Sequence, residues 1–238
     1  MQRTLEELHH EQTALGELIL RRRRSVAMPG TIVYEVKLNG EFLMSSLVRQ
    51  AEEALATHTL RRGGGTDRAV LIGGLGLGHT AEAALREPDV ASVEVVEYLA
   101  PVIDWHQRRL VPASAALMDD PRCRLIHDDF FKRVAEAPAS DADRYDAILV
   151  DIDHAPESLL DAGHAGFYGR EGLERMARHL RSGGVFGLWS ADRPGEVFLD
   201  AARGAFAAVE VEPVRYVNPN LAEPETNWLV IARGGVSA

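Results

Sequence analysis

The stretch Ala69-Val70-Leu71-Ile72-Gly73-Gly74-Leu75-Gly76-Leu77-Gly78-His79 decides the fold. Its apolar run reads as a buried strand, the glycines as a tight turn, and the residues from His79 onward as a helix. Such a turn lets a ligand approach the backbone closely and aims helix N–H groups at it, so Gly74, Gly76 and Gly78 are candidate cofactor contacts. The spacing separates this turn from two others. His79 stands where a dinucleotide fingerprint needs its last glycine, and no Gly-Lys-Ser/Thr follows, which excludes a P-loop.

Further apolar runs follow at 92–97, 123–127, 146–151, 184–190, 208–215 and 227–232, separated through most of that stretch by helix-like segments. Alternation of this kind predicts a largely parallel sheet covered by helices on both faces. The last two runs are joined by a short Asn218-Pro219-Asn220 segment, too short for a crossover helix, and are expected to pair antiparallel.

Ligands in open α/β sheets bind beyond the carboxyl ends of the strands, so the run ends hold the candidate site. The second run ends in Glu97, placed to accept hydrogen bonds from ribose hydroxyls. The third ends in His127-Asp128-Asp129-Phe130, offering a carboxylate for an exocyclic amine and an aromatic ring; Asp128 reads equally well as a helix cap. The fourth ends in Asp151-Ile152-Asp153-His154. Strand alternation would aim Asp151 and Asp153 to one side, where a shared site raises one pKa and suits proton acceptance. His154 and Trp189 are candidate substrate walls, and no ligand spacing supports a metal.

Upstream, Asn39-Gly40 between strand-like runs over 31–46 is a hairpin signal, and Gly16 to Arg23 reads as a further strand. Residues 1–45 thus form a small β extension and 46–238 the main domain. A helix capped by Ser45 or Ser46 runs to Gly63, and Arg21 to Arg24 read as a solvated strand end. The exposed hairpin could pair with a second copy, so a homodimer is expected.

The 238 residues carry 26 Lys plus Arg against 36 Asp plus Glu, a net charge of −10, which disfavours nucleic acid as partner. Small-molecule or peptide substrates fit better. One cysteine, no apolar stretch of membrane-spanning length and an N-terminus without leader character predict a cytoplasmic protein with no membrane partner.

Taken together, Gly74-x-Gly76-x-Gly78, Glu97, Asp129 and Asp151 resemble the cofactor motifs of class I S-adenosylmethionine-dependent methyltransferases, and more specifically spermidine synthase-like proteins. Asp119-Asp120-Pro121-Arg122, Asp151 through Leu159, Phe167-Tyr168 and Ser182-Gly183-Gly184-Val185 extend the resemblance over nearly the whole chain. It implies a Rossmann-like α/β fold with a seven-stranded, mostly parallel sheet whose last strand is antiparallel. It further implies that Glu97 holds the ribose, Asp129 the adenine amine and Asp151 the attacking amine. Two departures stand out: Gly76 replaces the aspartate of the spermidine synthase turn, and the helix segment Arg49 to Leu55 lacks that family's tyrosine and its acids. A carboxylate at 76 would repel that of intact S-adenosylmethionine, so its loss removes a discrimination. From sequence alone the leading function is methyl transfer from S-adenosylmethionine to a small-molecule or peptide acceptor. The alternatives are aminopropyl transfer from decarboxylated S-adenosylmethionine and a non-catalytic nucleoside-binding scaffold.

Overall fold

A computed structural model describes residues 5–221 and 223–235. The N-terminal part is a four-stranded antiparallel sheet of β1 (Leu5–Thr13), β2 (Gly16–Arg24), β3 (Ile32–Leu38) and β4 (Glu41–Ser45), in that order. Asn39 and Gly40 turn the β3–β4 hairpin with φ of 54° and 82°, the left-handed pair such a tight turn requires. The sheet is larger than the expected hairpin plus one strand. β1 has little apolar alternation, and it is held by its register on β2, where Glu6 meets Arg22 at 2.8 Å and His10 meets Glu17 at 3.0 Å.

Arg21, Arg22 and Arg23 are anchored rather than simply solvated. Antiparallel register sets Arg21 opposite Glu35, and Arg21 and Arg23 share one strand face. Both reach the Glu35 carboxylate, at 2.7 and 2.6 Å, which is buried beneath them, while Arg22 takes Glu6. Within the expected hairpin, β3 is covered on both sides and only β4 stands at the sheet's edge.

The main domain continues with α1 (Gln50–Arg62), β5 (Arg68–Gly73), α2 (His79–Arg86), β6 (Val90–Glu97), α3 (Ala100–Gln107), α4 (Ser114–Met118) and β7 (Cys123–His127). It then runs through α5 (Phe130–Ala135), β8 (Tyr145–Val150), α6 (Ala165–Tyr168), α7 (Arg170–Ala177), β9 (Leu180–Ser190), α8 (Glu196–Ala205), β10 (Phe206–Tyr216) and β11 (Glu225–Gly235). Its sheet has the order β10-β11-β9-β8-β5-β6-β7, with β5 to β9 parallel and the last strand, β11, antiparallel to both its neighbours.

Alternation along each strand divides the core between the two faces. Val70, Ile72, Ala147 and Leu149 pack with Leu55, Leu60, Val102, Trp105 and Leu117 from α1 to α4. Leu71, Ile148 and Val150 pack with Phe130, Phe167, Leu173, Met176 and Phe198 from α5 to α8. Leu18 and Leu20 of β2 join the first cluster, which fastens the N-terminal sheet over the carboxyl edge of the main sheet. The helix after β4 begins at Gln50, later than expected, because Ser45 and Ser46 are used elsewhere: Ser45 Oγ accepts from the Leu47 N–H, and Ser46 Oγ from that of Tyr34. Among the described residues no helix is long and apolar enough to cross a membrane.

Candidate active site

The glycine turn sits at the carboxyl end of β5, bounded by β6 on one side and β8 on the other. Gly74 donates to the Val96 carbonyl at 2.9 Å, and Asp151 donates from its backbone to the Gly73 carbonyl at 2.9 Å. Gly74 has φ +93°, and a methyl group there would lie 2.1 Å from the Asp151 carbonyl oxygen. Only glycine satisfies both the backbone conformation and that approach. Gly76 has φ +47°, and a Cβ on it would meet Met44 Sδ at 2.9 Å, so a thioether from β4 fills the space where a side chain at 76 would start. The His106 ring donates to the Gly76 carbonyl at 3.0 Å from behind the turn.

Glu97 is buried at the end of β6. Its two carboxylate oxygens accept from the Leu75 N–H at 3.0 Å and the Leu99 N–H at 2.7 Å, clamping the turn to the β6–α3 loop. Burial pushes its pKa up and those N–H donors pull against that push. Asp129 caps α5 by accepting from the Lys132 N–H at 3.1 Å and pairs with the Lys132 ammonium at 3.0 Å. The cap expected at Asp128 therefore belongs to its neighbour. Asp128 instead accepts from the Asp129 N–H at 2.8 Å.

Two cavities open on this edge. The first, of about 530 Å³, is lined by Gly74, Gly76, Glu97, Tyr98, Asp129 and Phe130, which brings every expected cofactor residue except Gly78 onto one wall. The second, of about 590 Å³, is lined by Glu52, Gly76, Gly78, His79, Asp151, His154, Trp189, Tyr216, Glu225 and Asn227, so both expected substrate residues are on it. Leu43, Met44, Gly76, Asp151 and Ile152 border both. Volume, a backbone-lined turn and a carboxylate at the next strand end fit a nucleoside in the first cavity.

Asp151 and Asp153 both border the second cavity, but their carboxylates take different hydrogen-bond partners. β8 ends at Val150, so strand alternation no longer governs the loop that follows. Asp153 turns into the α6 side, 2% exposed, where it accepts from Leu160 N–H at 2.6 Å, His164 Nδ1 at 2.9 Å and Tyr168 O–H at 2.9 Å. With its oxygens committed to those donors, Asp153 is a scaffold of the loop.

Asp151 turns the other way and accepts from Thr80 Oγ1 at 2.7 Å. Burial raises it to about 6 even against that hydrogen bond. Its acidic companion is Glu52 from α1, raised to about 8 by burial, with repulsion from Asp151 adding to it. The helix segment lacks the tyrosine and the particular acids of the family pattern, yet its spacing carries a signal for Glu52, which precedes the buried Leu55, Ala56, Thr59 and Leu60 by three, four, seven and eight positions. An acid on that stripe faces inward at the helix start. Tyr216, which carries no motif, also lines the second cavity, and burial together with Glu225 and Glu52 raises it to about 12. His79 is buried with no hydrogen-bond partner on either ring nitrogen among the described residues, and burial keeps it neutral by lowering it to about 4. Trp189 likewise has an unpartnered buried indole nitrogen among those residues.

Residues 51–199 match the spermine/spermidine synthase domain. A polyamine aminopropyltransferase of Prochlorococcus marinus (strain MIT 9313) is 30% identical over 190 residues, covering 79% of this chain and 59% of that protein. Putrescine N-methyltransferase 2 of Nicotiana attenuata is 35% identical over 118 residues, covering 50% of this chain and 29% of that protein. The chain thus spans less than two thirds of either relative. Among solved structures, a spermidine synthase in complex with the transition-state analogue AdoDATO superposes with a TM-score of 0.74 at 18% identity, over 97% of this chain and 74% of that one. The spermidine synthase of Thermotoga maritima gives 0.73 with the same coverage.

Proposed function

The chain belongs to the spermine/spermidine synthase domain family, and from that premise we propose that it transfers an aminopropyl group from decarboxylated S-adenosylmethionine to the nitrogen of a small amine. One observation carries the reading: Asp151, a carboxylate raised to about 6, lies in the wall that the two cavities share. A donor nucleoside on the glycine side and an amine on the Glu52 side would meet there. When bound, the donor supplies a sulfonium-activated carbon open to displacement.

The protein's part is to orient and to take a proton. Gly74, Gly76 and Glu97 are the proposed holders of the nucleoside, with Phe130 and Asp129 at its base. Asp151 receives the proton that the acceptor nitrogen sheds before its lone pair forms the new N–C bond and the C–S bond breaks toward sulfur. The two curated relatives act, by name, on a polyamine and on putrescine, which makes an amine the common acceptor.

Charge moves the weight from methyl to aminopropyl transfer. Among the described residues lining the cavities, the lysine and arginine side chains are Arg23, Lys132 and Arg175, and they are paired with Glu35, Asp129 and Glu171. Arg23 shares Glu35 with Arg21, so that cluster keeps one net positive charge, but no lysine or arginine among the described residues forms an ion pair with Asp151 itself, and a donor carboxylate beside it would meet an uncompensated anion. At roughly 6 Å and an effective dielectric of 20 that repulsion is about 3 kcal/mol, or roughly 100-fold in affinity. The second reading, methyl transfer to the same amine, draws on Gly76 and on Met44 occupying the space of a side chain at that position. Calorimetric titration with both donors tests the choice: tighter binding of the decarboxylated form is expected, and tighter binding of the intact form would favour methyl transfer.

A further inference from the structure

Glu52 and Asp151 are the unusual pair in this cavity. They come from α1 and the end of β8, and among the described residues no lysine, arginine or histidine forms an ion pair with either. Thr80 Oγ1 ties them together, donating to Asp151 Oδ2 at 2.7 Å while lying 3.5 Å from the Glu52 carbonyl oxygen. The charged and titratable groups around Glu52 do not neutralise it. Glu53 of its own helix pairs with Arg49 at the helix N-cap; Tyr216 and Glu225 face it from β10 and β11; His79 of α2 is neutral; Asp153 is taken by His164 and Tyr168; His154 lines the cavity with no ion pair to either acid among the described residues; and Arg23, across the cavity, shares Glu35 with Arg21.

Two largely buried carboxylates on one cavity, with no cation paired to either among the described residues, resist ionising together. We propose that Glu52 and Asp151 hold a single proton between them in the free protein, and that Glu52 thereby acts as a positioning residue that sets the charge with which Asp151 meets the acceptor amine. This rests on the transferase reading above. The pair then carries one negative charge, matching one incoming ammonium. That ammonium passes a proton to the ionised carboxylate, the neutral nitrogen forms the N–C bond as the C–S bond breaks, the product leaves as a secondary ammonium, and the proton on Asp151 is released to solvent. A fully protonated pair offers no base, and a doubly ionised pair holds the amine as its cation. The singly protonated form is the active one, bounded by values of about 6 and about 8.

The test follows the two carboxyl carbons by 13C NMR during a pH titration of the free protein, wild type and Glu52→Gln, with pH profiles of kcat and kcat/KM using putrescine and the decarboxylated donor. The expected result is two linked titrations in the wild type. In Glu52→Gln, Asp151 should titrate lower by about one pH unit or more, and the alkaline limb of the activity profile should disappear. Glu52→Asp should restore both features. An Asp151 titration unmoved by Glu52→Gln, or a Glu52 that titrates like an exposed glutamate, would overturn the proposal even in an active transferase. Linked titrations in a protein that turns over no amine with either donor would uphold the shared proton and overturn the transferase reading instead.

Discussion

Replacing Gly74 by alanine probes the contact on which the whole site turns. At φ +93° an alanine costs about 1–2 kcal/mol for the left-handed backbone. Its methyl group would also stand 2.1 Å from the Asp151 carbonyl oxygen, so the loop must retreat by more than an ångström. That retreat strains the Asp151 N–H to Gly73 carbonyl bond of 2.9 Å, worth about 1 kcal/mol net. Together these give a destabilisation of about 3 kcal/mol, or a fall of roughly 1 M in urea midpoint at a slope near 3 kcal/mol/M. Gly40→Ala is the control, since it has φ +82° and nothing within 4 Å of its added carbon. It should cost only the backbone share, about 1–2 kcal/mol. Because Gly74→Ala moves Asp151, turnover should drop more than donor affinity. Equal urea midpoints for the two variants would refute the close approach of turn and loop.

Three further outcomes are expected. Asp151→Asn should lower kcat by roughly 10²- to 10⁴-fold with little change in the calorimetric donor Kd, the size of a lost general base; unchanged kcat would remove Asp151 from the reaction. Asp153→Ala should cost about 2–4 kcal/mol in chemical denaturation, because Tyr168, His164 and the Leu160 N–H lose their shared acceptor. Its donor Kd should stay put if Asp153 only holds the loop. Stability should also depend on pH through the raised acids: between their ordinary and raised values the folded protein binds more protons than the unfolded chain, so stability falls as pH rises, and the loss is complete above about 8. At 1.36 kcal/mol per unit, the rise of Glu52 from 4.5 to about 8 sets a ceiling of about 5 kcal/mol. Water in the open cavity brings the advantage of Glu52→Gln at pH 9 to about 2 kcal/mol, vanishing near pH 5.

The main sheet was legible because its central strands, β5 and β8 above all, are buried almost throughout and read as continuous apolar runs; the edge strand Cys123–His127, though partly exposed, is found over its expected residues, and the others differ by a few at their ends. β1 was not legible, since Leu5 to Thr13 alternates weakly and becomes a strand through charges that only its register on β2 supplies. The site divided in the same way. Gly74, Gly76, Glu97 and Asp151 sit at strand ends or in the turn, where topology alone brings them together. Asp153 reaches the same cavity as Asp151, but strand periodicity past Val150 could not show that its oxygens are taken by Leu160, His164 and Tyr168 in a loop that obeys its own hydrogen bonds. Glu52 was not singled out because the helix matches neither the family's tyrosine nor its acids, while the acid lay in the helix's own buried stripe.

The central claim is that one amine and one decarboxylated donor meet at Asp151. A single reaction containing putrescine with equal amounts of intact and decarboxylated S-adenosylmethionine, its amine products resolved by mass spectrometry, tests it most directly. Aminopropylated amine as the dominant product, lost in Asp151→Asn, is the predicted result. Methylated amine as the dominant product, or product formation that survives Asp151→Asn undiminished, would contradict it.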